Sequence, residues 1–210
     1  MNLLQSLKTF PFIAITRGIT PDQAPTITQV LYEEGFRIIE NPLNSPDPIE
    51  SIRAMSETVG SSAMIGAGTV TDPKQVVLVK EAGGSIIISP HCDPAIIRET
   101  KKQGLLSMPG VATPTEAMTA LQNGADALKL FPAEMITPRI IKAFRAVLPP
   151  ETLLLPVGSI TSDNWQPYMN AGASGFGLGS SLFRNELTPD QLRKNAKAFG
   201  HSWEKYPANP

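Results

Sequence analysis

The feature of this chain that most constrains its fold is a regular alternation of short apolar segments with longer segments that begin with helix-capping signals. Eight short apolar runs have the composition of buried β-strands. Seven of them are followed by a Ser, Thr or Asp next to a proline, and the other is followed by Thr-Ser-Asp. A capping oxygen accepts a hydrogen bond from a free backbone N–H and proline has none to leave unpaired, so these residues favour helix starts. The predicted strands are residues 11–16, 37–42, 63–67, 85–89, 105–108, 127–130, 153–157 and 175–178.

Glycines at the predicted helix ends support the same alternation, because glycine readily adopts the left-handed conformation that ends a helix before the next strand. Eight βα units spaced by about 23 residues suit a closed parallel barrel, whose active site lies on the loops after the strands. We therefore predict the α/β fold class and a single (β/α)8 TIM-barrel domain over residues 1–210. The predicted helix starts are residues 20–22, 45–46, 71–73, 93–94, 113–116, 137–138, 161–163 and 188–189, and the helix-ending glycines are Gly35, Gly83, Gly104, Gly124 and Gly172.

Composition excludes several classes of function. With 18 basic and 19 acidic side chains and a net charge of -1, the chain lacks the positive charge typical of proteins that bind nucleic acid or anionic membranes. A single cysteine, Cys92, rules out an internal disulfide and fits a reducing compartment. The first ten residues lack a signal-peptide pattern, and no apolar run reaches the about 18 residues of a membrane span. We expect a cytoplasmic protein.

One lysine lies within a segment that otherwise reads as a buried strand. Lys129 is flanked by Leu128 and Leu130 in the sixth predicted strand. Removing an ammonium from water is costly unless it is paired or loses its proton, so a buried lysine tends towards the neutral amine. A neutral amine can attack a carbonyl and form a Schiff base. The alternative is a lysine whose stem lines the sheet while its ammonium reaches the surface.

Polar residues at the ends of other predicted strands favour the first interpretation. Arg17 follows the first strand, Glu40 interrupts the second and Thr69 follows the third. In a parallel barrel these ends converge on one opening. If Glu40 and Lys129 both point inward, a carboxylate and an amine meet in one partly dry cavity. A strand-end carboxylate in a structural salt bridge is the alternative for Glu40.

Two glycine-containing loops indicate phosphate binding. Residues 157–160 follow the seventh predicted strand, and residues 177–181 follow the eighth. These are the loops that frequently bind phosphate in such barrels, through backbone N–H groups and a short helix N-terminus. Glycine lets the ligand approach the backbone because it has no Cβ.

These segments, taken in chain order, resemble a known family. They are Arg-Gly-Ile at 17–19, Glu40 with Pro-Leu-Asn-Ser-Pro at 42–46, Gly-Ala-Gly-Thr-Val at 66–70, Ser-Pro at 89–90, Met-Pro-Gly at 108–110, Lys-Leu-Phe-Pro-Ala at 129–133, Val-Gly at 157–158 and Gly-Leu-Gly-Ser at 177–180. Together they resemble the 2-keto-3-deoxy-6-phosphogluconate and 2-keto-3-deoxy-6-phosphogalactonate aldolases. The resemblance extends from about Phe12 to Phe183, and residues 17–20 and 42–46 are more similar to the phosphogalactonate branch.

The resemblance implies a role for each candidate residue. Lys129 would form the Schiff base, and Glu40 would be the acid/base that moves protons through a water molecule. Arg17 and Thr69 would hold the pyruvyl carboxylate. The remaining assignments are the Pro90 carbonyl and Phe131 beside the imine, and Gly158, Ser159, Gly179 and Ser180 at the phosphate.

The implied reaction is cleavage of 2-dehydro-3-deoxy-6-phosphogalactonate to pyruvate and D-glyceraldehyde 3-phosphate by a metal-free, cofactor-free class I aldolase that forms homotrimers. Its partner is a phosphorylated keto-deoxy sugar acid. The alternatives are the phosphogluconate epimer as main substrate, another phosphate-binding barrel enzyme in which Lys129 is an electrostatic clamp, and a non-catalytic sugar-phosphate binder. A zinc-dependent aldolase needs clustered ligands, whereas the two histidines lie far apart and His91, Cys92 and Asp93 are consecutive.

Two positions depart from the family pattern. Asn41 replaces the usual aliphatic residue after the catalytic glutamate and should face the helices if Glu40 faces the cavity; an amide without partners there costs on the order of 1 to 3 kcal/mol. Ser159 replaces a second glycine of the phosphate loop. If its φ is positive, serine imposes strain of about 1 kcal/mol or more, or its hydroxyl adds a phosphate contact.

Overall fold

A computed structural model describes residues 2–207 as parallel strands alternating with helices. Met1 and residues 208–210, the ends of the predicted 1–210 domain, lie outside the described residues. Each of the eight predicted strands overlaps an observed one. The strands are β1 Phe12–Ile15, β2 Ile38–Pro42, β3 Met64–Gly68, β4 Ile86–Ile88, β5 Leu106–Met108, β6 Gly110–Val111, β7 Leu128–Leu130, β8 Leu154–Pro156 and β9 Phe176–Leu178.

The helices occupy the intervals between the strands. None of those within residues 2–207 is both long and apolar enough to cross a lipid bilayer. A short 3-10 turn, Gly60–Ser62, precedes β3. The helices are α1 Leu3–Thr9, α2 Ala24–Glu33, α3 Pro48–Val59, α4 Pro73–Glu81, α5 Pro94–Lys102, α6 Pro114–Gln122, α7 Pro138–Val147, α8 Gln166–Asn170 and α9 Pro189–Glu204.

Five helices, α4, α5, α6, α7 and α9, start at the predicted proline. Asp72, Thr113 and Thr188 each form a capping box, in which the capping side chain and the third helical residue satisfy each other's backbone N–H groups. At the opposite ends, the five helix-ending glycines have φ between 72° and 107°. The local signals for these boundaries are confirmed.

Three predicted helix starts are wrong because their side chains serve turns instead. The Ser45 hydroxyl accepts a hydrogen bond from Gly18 N–H at 3.0 Å, and α3 begins after Asp47. The Thr20 hydroxyl bonds Asp22 at 2.5 Å, so α2 begins after Gln23. Residues 161–163 likewise form a turn, and α8 begins at Gln166.

All strand pairs are parallel, which confirms the predicted α/β architecture. The strands form a six-stranded sheet of order β5-β4-β3-β2-β1-β9 and a three-stranded sheet of order β6-β7-β8. Strand β6 was not predicted; Pro109, which has no N–H to donate, separates it from β5. The sheets are joined by a parallel bridge between Val157 and Gly177 and by the N–H of Asp126, just before β7, which donates to the Ser107 carbonyl of β5 at 2.9 Å.

The strands separate two apolar clusters, and side-chain alternation determines which side each residue faces. The smaller inner cluster contains Ile38 and Ala127, whereas the larger outer cluster, shared with the helices, contains Ile39 and Leu128. Glu40 and Lys129 lie two residues beyond Ile38 and Ala127, so they face inward as predicted. The unpredicted helix α1 contributes Leu3 and Leu7 to the inner cluster.

Candidate active site

A cavity of about 720 Å³ opens where the strands end, on their carboxyl side. It brings together every residue proposed for the site from the sequence, because the residues that follow successive parallel strands meet at one edge of the sheets. The predicted residues that line it are Arg17, Glu40, Thr69, Pro90, Lys129, Phe131, Gly158, Ser159, Gly179 and Ser180.

Glu40 is an almost fully buried carboxyl on β2. The residue is 2% exposed, and in the described part of the chain its Oε2 atom has no hydrogen-bond partner. Burial raises the pKa of Glu40 from 4.5 to about 7, while the charges of Lys129 and Arg17 and the backbone N–H of Gly68 oppose that rise. A carboxyl with a pKa near neutrality can both take up and release a proton during turnover.

Gly68 makes room for this carboxyl at the end of β3. A Cβ on Gly68 would lie 2.0 Å from Glu40 Oε2 and 2.4 Å from its Oε1. Any larger residue would therefore displace the carboxylate. This close approach explains why glycine, which otherwise weakens a strand, is the last residue of β3.

Lys129 on β7 is 7% exposed and lines the same cavity. Burial lowers the pKa of Lys129; the Glu40 charge opposes this effect and the Arg17 charge adds to it. Its Nζ atom lies 4.5 Å from the centre of the Phe131 ring. Within residues 2–207 the Lys129 amine and the Glu40 carboxylate form no direct salt bridge. The amine is thus held in the cavity instead of reaching the outer surface.

Arg17 connects the loops that follow β2 and β3 at the cavity edge. One guanidinium nitrogen donates to Asn44 Oδ1 at 2.5 Å, and the other donates to Thr69 Oγ1 at 3.4 Å. Thr69 has φ 55°, an uncommon left-handed conformation for a β-branched residue. Such conformations concentrate at functional sites. Asn44 was not predicted as a site residue, although it lies in the quoted 42–46 segment.

The loops after β8 and β9 lie side by side. The Ser181 hydroxyl donates to the Ile160 carbonyl at 2.6 Å and ties the two loops together. Gly158 has φ 123°, and Ser159 has φ 50°, so the strain expected for serine at this position is present. Apart from Gly179 itself and its two chain neighbours, no described residue has an atom within 4 Å of where a Cβ on Gly179 would stand, so the backbone there is open to the cavity.

Asn41 faces away from the cavity, as expected for the neighbour of an inward-facing Glu40. Its side chain is fully buried, and neither its amide oxygen nor its amide nitrogen has a hydrogen-bond partner in residues 2–207. The hydroxyls of Thr28 on α2 and Ser51 on α3 are also buried and have no hydrogen-bond partner among the described residues. The departure at Asn41 thus affects the helix-facing side of β2 and not the cavity itself.

Comparison with known proteins identifies the family of this site. The family described as KDPG and KHG aldolase matches residues 2–196 of the chain. The chain belongs to the KDPG and KHG aldolase family. It is 43% identical over 188 residues to a probable 2-dehydro-3-deoxy-6-phosphogalactonate aldolase of Rhizobium meliloti (strain 1021), covering 90% of this chain and 89% of that protein.

Further relatives agree with this membership. The chain is 42% identical to the 2-dehydro-3-deoxy-6-phosphogalactonate aldolase of Escherichia coli (strain K12), covering 90% of this chain and 92% of that protein. A solved structure described as "Native KDPGal structure" superposes with a TM-score of 0.91 at 41% identity, covering 93% of this chain and 95% of that one. The resemblance inferred from the motifs is confirmed.

For a member of the KDPG and KHG aldolase family, the cavity contains the groups needed for imine chemistry. It is lined by a buried amine of lowered pKa, a buried carboxyl of raised pKa, an arginine and the glycine-containing loops after β8 and β9. Two side chains of the 91–93 triplet have separate partners: Asp93 caps α5, and the Cys92 thiol donates to the Glu116 carbonyl at 3.4 Å. No three His, Cys, Asp or Glu side chains between residues 2 and 207 are grouped to hold a metal ion.

Sequence reasoning missed three charged residues and one amide of the cavity edge. Glu134, Arg184, Asn185 and Glu186 all line the cavity but follow the strands by four or more residues. Charged residues in exposed loops have no periodic pattern that separates them from ordinary surface residues. The available signal for Glu134 is its position directly after the 129–133 motif.

Proposed function

We propose that this chain is a class I aldolase that cleaves 2-dehydro-3-deoxy-6-phosphogalactonate to pyruvate and D-glyceraldehyde 3-phosphate. The observation that carries the proposal is the buried Lys129 amine in the same cavity as the buried Glu40 carboxyl. The two phosphogalactonate aldolases that are 42–43% identical over 90% of the chain support this epimer.

In the proposed reaction, the neutral Lys129 amine first attacks the keto carbon of the substrate. The resulting carbinolamine loses water while Glu40 relays protons, and an iminium ion forms on Nζ. Burial of Lys129 favours the neutral amine that this attack requires. The positive iminium is then an electron sink beside the bond to be cleaved.

Glu40, or a water molecule bound to it, then removes the proton from the hydroxyl on carbon 4. The bond between carbons 3 and 4 breaks, and its electron pair moves into the iminium to give an enamine. Glyceraldehyde 3-phosphate leaves, the enamine is protonated at carbon 3, and hydrolysis releases pyruvate and the free amine. The Glu40 pKa of about 7 suits a group that alternates between base and acid.

The residues that line the cavity can be assigned to the parts of the substrate that they would contact. Arg17 and Thr69, which are hydrogen-bonded to each other, would hold the pyruvyl carboxylate. Phe131 lies against the Lys129 amine and, with the Pro90 carbonyl, would flank the imine. The phosphate would lie at the loops after β8 and β9, against the backbone of residues 158–159 and 179–180.

We further propose that the two sheets close into one (β/α)8 barrel over residues 1–210, with β5 and β6 acting as one strand. The Val157–Gly177 bridge and the hydrogen bond from the Asp126 N–H to the Ser107 carbonyl support closure at both junctions. The homotrimer, the absence of metal and cofactor, and the cytoplasmic location remain expectations from the family resemblance and the composition.

A coupled assay of pyruvate release tests the function. We expect kcat/KM to be higher for the phosphogalactonate-derived substrate than for its phosphogluconate-derived epimer. A reversed ratio would assign the chain to the gluconate epimer. If folded protein releases no pyruvate from either substrate, the aldolase assignment is wrong.

A further inference from the structure

The turn after β8 is held in a conformation that serine does not favour. Ser159 has φ 50°, which a residue with a Cβ adopts only when its surroundings fix it. Its carbonyl accepts a hydrogen bond from the Asn164 amide at 2.8 Å. On the other side of the backbone, its hydroxyl donates to Oε1 of Glu134. Two neighbours therefore hold Ser159.

Glu134 reaches this turn from the loop after β7. The N–H of the preceding residue, Ala133, donates to the Val157 carbonyl at 3.0 Å and keeps the two loops adjacent. Glu134 Oε2 lies 2.5 Å from the position that a Cβ on Gly158 would take. The carboxylate thus bonds Ser159 with one oxygen and covers Gly158 with the other, so it contacts both residues of the turn.

The hydrogen bond also determines what the Ser159 hydroxyl can do. A hydroxyl has one proton to donate, and Ser159 gives it to Glu134. This donation lowers the pKa of Glu134 below its ordinary 4.5, so the side chain is an anion near neutral pH. An anionic ligand at this turn must therefore be bound by backbone N–H groups and not by the Ser159 hydroxyl proton.

We propose that Glu134 is a positioning residue that holds Ser159 in its left-handed conformation, so that the 158–159 turn presents its backbone N–H groups to the substrate phosphate. The proposal rests on the proposed function, because it takes this end of the cavity as the phosphate site. It explains how serine occupies a position suited to glycine. The carboxylate also repels a phosphate, and the proposal requires the gain from positioning to exceed that repulsion.

The test is a double-mutant cycle between Glu134→Ala and Ser159→Gly, read in steady-state kinetics. In the otherwise wild-type protein, Glu134→Ala should raise KM for the phosphorylated substrate about tenfold with little change in kcat, as expected for one lost charge-assisted hydrogen bond. In the Ser159→Gly background the same change should raise KM less than about twofold, because no hydroxyl is left to hold. Glu134→Gln should restore most of the affinity, since its amide oxygen can accept the same hydrogen bond.

A charge control and a binding measurement complete the test. Glu186→Ala removes another carboxylate from the same cavity edge and should affect KM less than Glu134→Ala does. Titration of the same proteins with inorganic phosphate should show the same non-additivity between Glu134→Ala and Ser159→Gly in the Kd for phosphate. This measurement does not depend on the aldol reaction. Phosphate binding with that coupling but no pyruvate release would overturn the proposed function and leave the role of Glu134 standing.

Three results would overturn the role of Glu134. The first is an equal KM increase from Glu134→Ala with and without the Ser159 hydroxyl, because Glu134 would then not act through Ser159. The second is a lower KM in Glu134→Ala, which would make the carboxylate a repulsive group at the phosphate. The third is a Glu186→Ala effect as large as that of Glu134→Ala, which would indicate charge alone.

Discussion

At the residue scale, the site depends on two ionisable groups whose charged forms are disfavoured by burial. Glu40 and Lys129 are 2% and 7% exposed, and neither is stabilised by a direct salt bridge within the described residues. Burial therefore moves the two pKa values towards each other. These shifts favour the neutral amine and the protonated carboxyl, the forms that imine formation uses.

The raised pKa of Glu40 predicts how stability depends on pH. Between pH 4.5 and about 7 the folded protein retains a proton on Glu40 that the unfolded chain releases. The folded state therefore binds more protons, and this contribution to the free energy of unfolding falls as the pH rises, by up to roughly 3 kcal/mol. Urea unfolding of wild type and Glu40→Gln should show the variant gaining stability relative to wild type between about pH 5 and about pH 7.5. A difference that does not change with pH would contradict the raised pKa.

Sequence reasoning found these two residues for a physical reason. Lys129 and Glu40 each interrupt an apolar strand, and strand alternation with convergence of strand ends then predicts one shared cavity. Glu134 and Asn44 gave no such signal, because their roles come from hydrogen bonds to Ser159 and Arg17 across sequence separations of 25 and 27 residues. Only coordinates reveal such contacts.

At the element scale, the two faces of β2 lie in different environments. Glu40 on the inner face serves the cavity, whereas Asn41 on the outer face is buried against the helices. The unpaired hydroxyls of Thr28 and Ser51 lie on the two helices, α2 and α3, that flank β2 in the chain. Burial of unpaired polar groups is costly, so this layer is a weak point of the fold.

Replacing Asn41 should therefore stabilise the protein. Asn41→Leu keeps the side-chain volume similar and removes two unpaired polar atoms, so we expect the free energy of unfolding to rise by about 1 to 3 kcal/mol. Asn195→Leu is the matched control, because the Asn195 amide donates to the Leu182 carbonyl at 3.0 Å and its loss should destabilise. Chemical denaturation measures both. Destabilisation by Asn41→Leu of the same size as the control would mean that the Asn41 amide is satisfied.

Some helix starts are determined by the local sequence, whereas others depend on contacts with residues that are distant in sequence. Thr113 and Thr188 cap the helices that directly follow them, and the sequence predicted both starts. Ser45 has the same capping chemistry, but its hydroxyl accepts a hydrogen bond from Gly18, which is distant in sequence. A capping signal is reliable only when no tertiary partner occupies the side chain.

At the scale of the whole molecule, the order of strands and helices was predictable because each unit carries its own start and stop signals. The unpredicted elements α1 and β6 are short, and tertiary contacts hold them in place. Leu3 and Leu7 of α1 pack in the inner cluster, and Gly110 and Val111 of β6 pair with β7. The division of the strands into two sheets was not predictable either, because it depends on hydrogen bonding around Pro109 and Val157.

A Schiff base at Lys129 can be trapped by borohydride reduction of the protein in the presence of pyruvate and located by mass spectrometry of its peptides. We expect a pyruvate-derived mass increase on the peptide that carries Lys129, and no increase at that position in Lys129→Ala. A folded protein that gains no mass, or gains it on a different lysine, would contradict a Schiff base at Lys129.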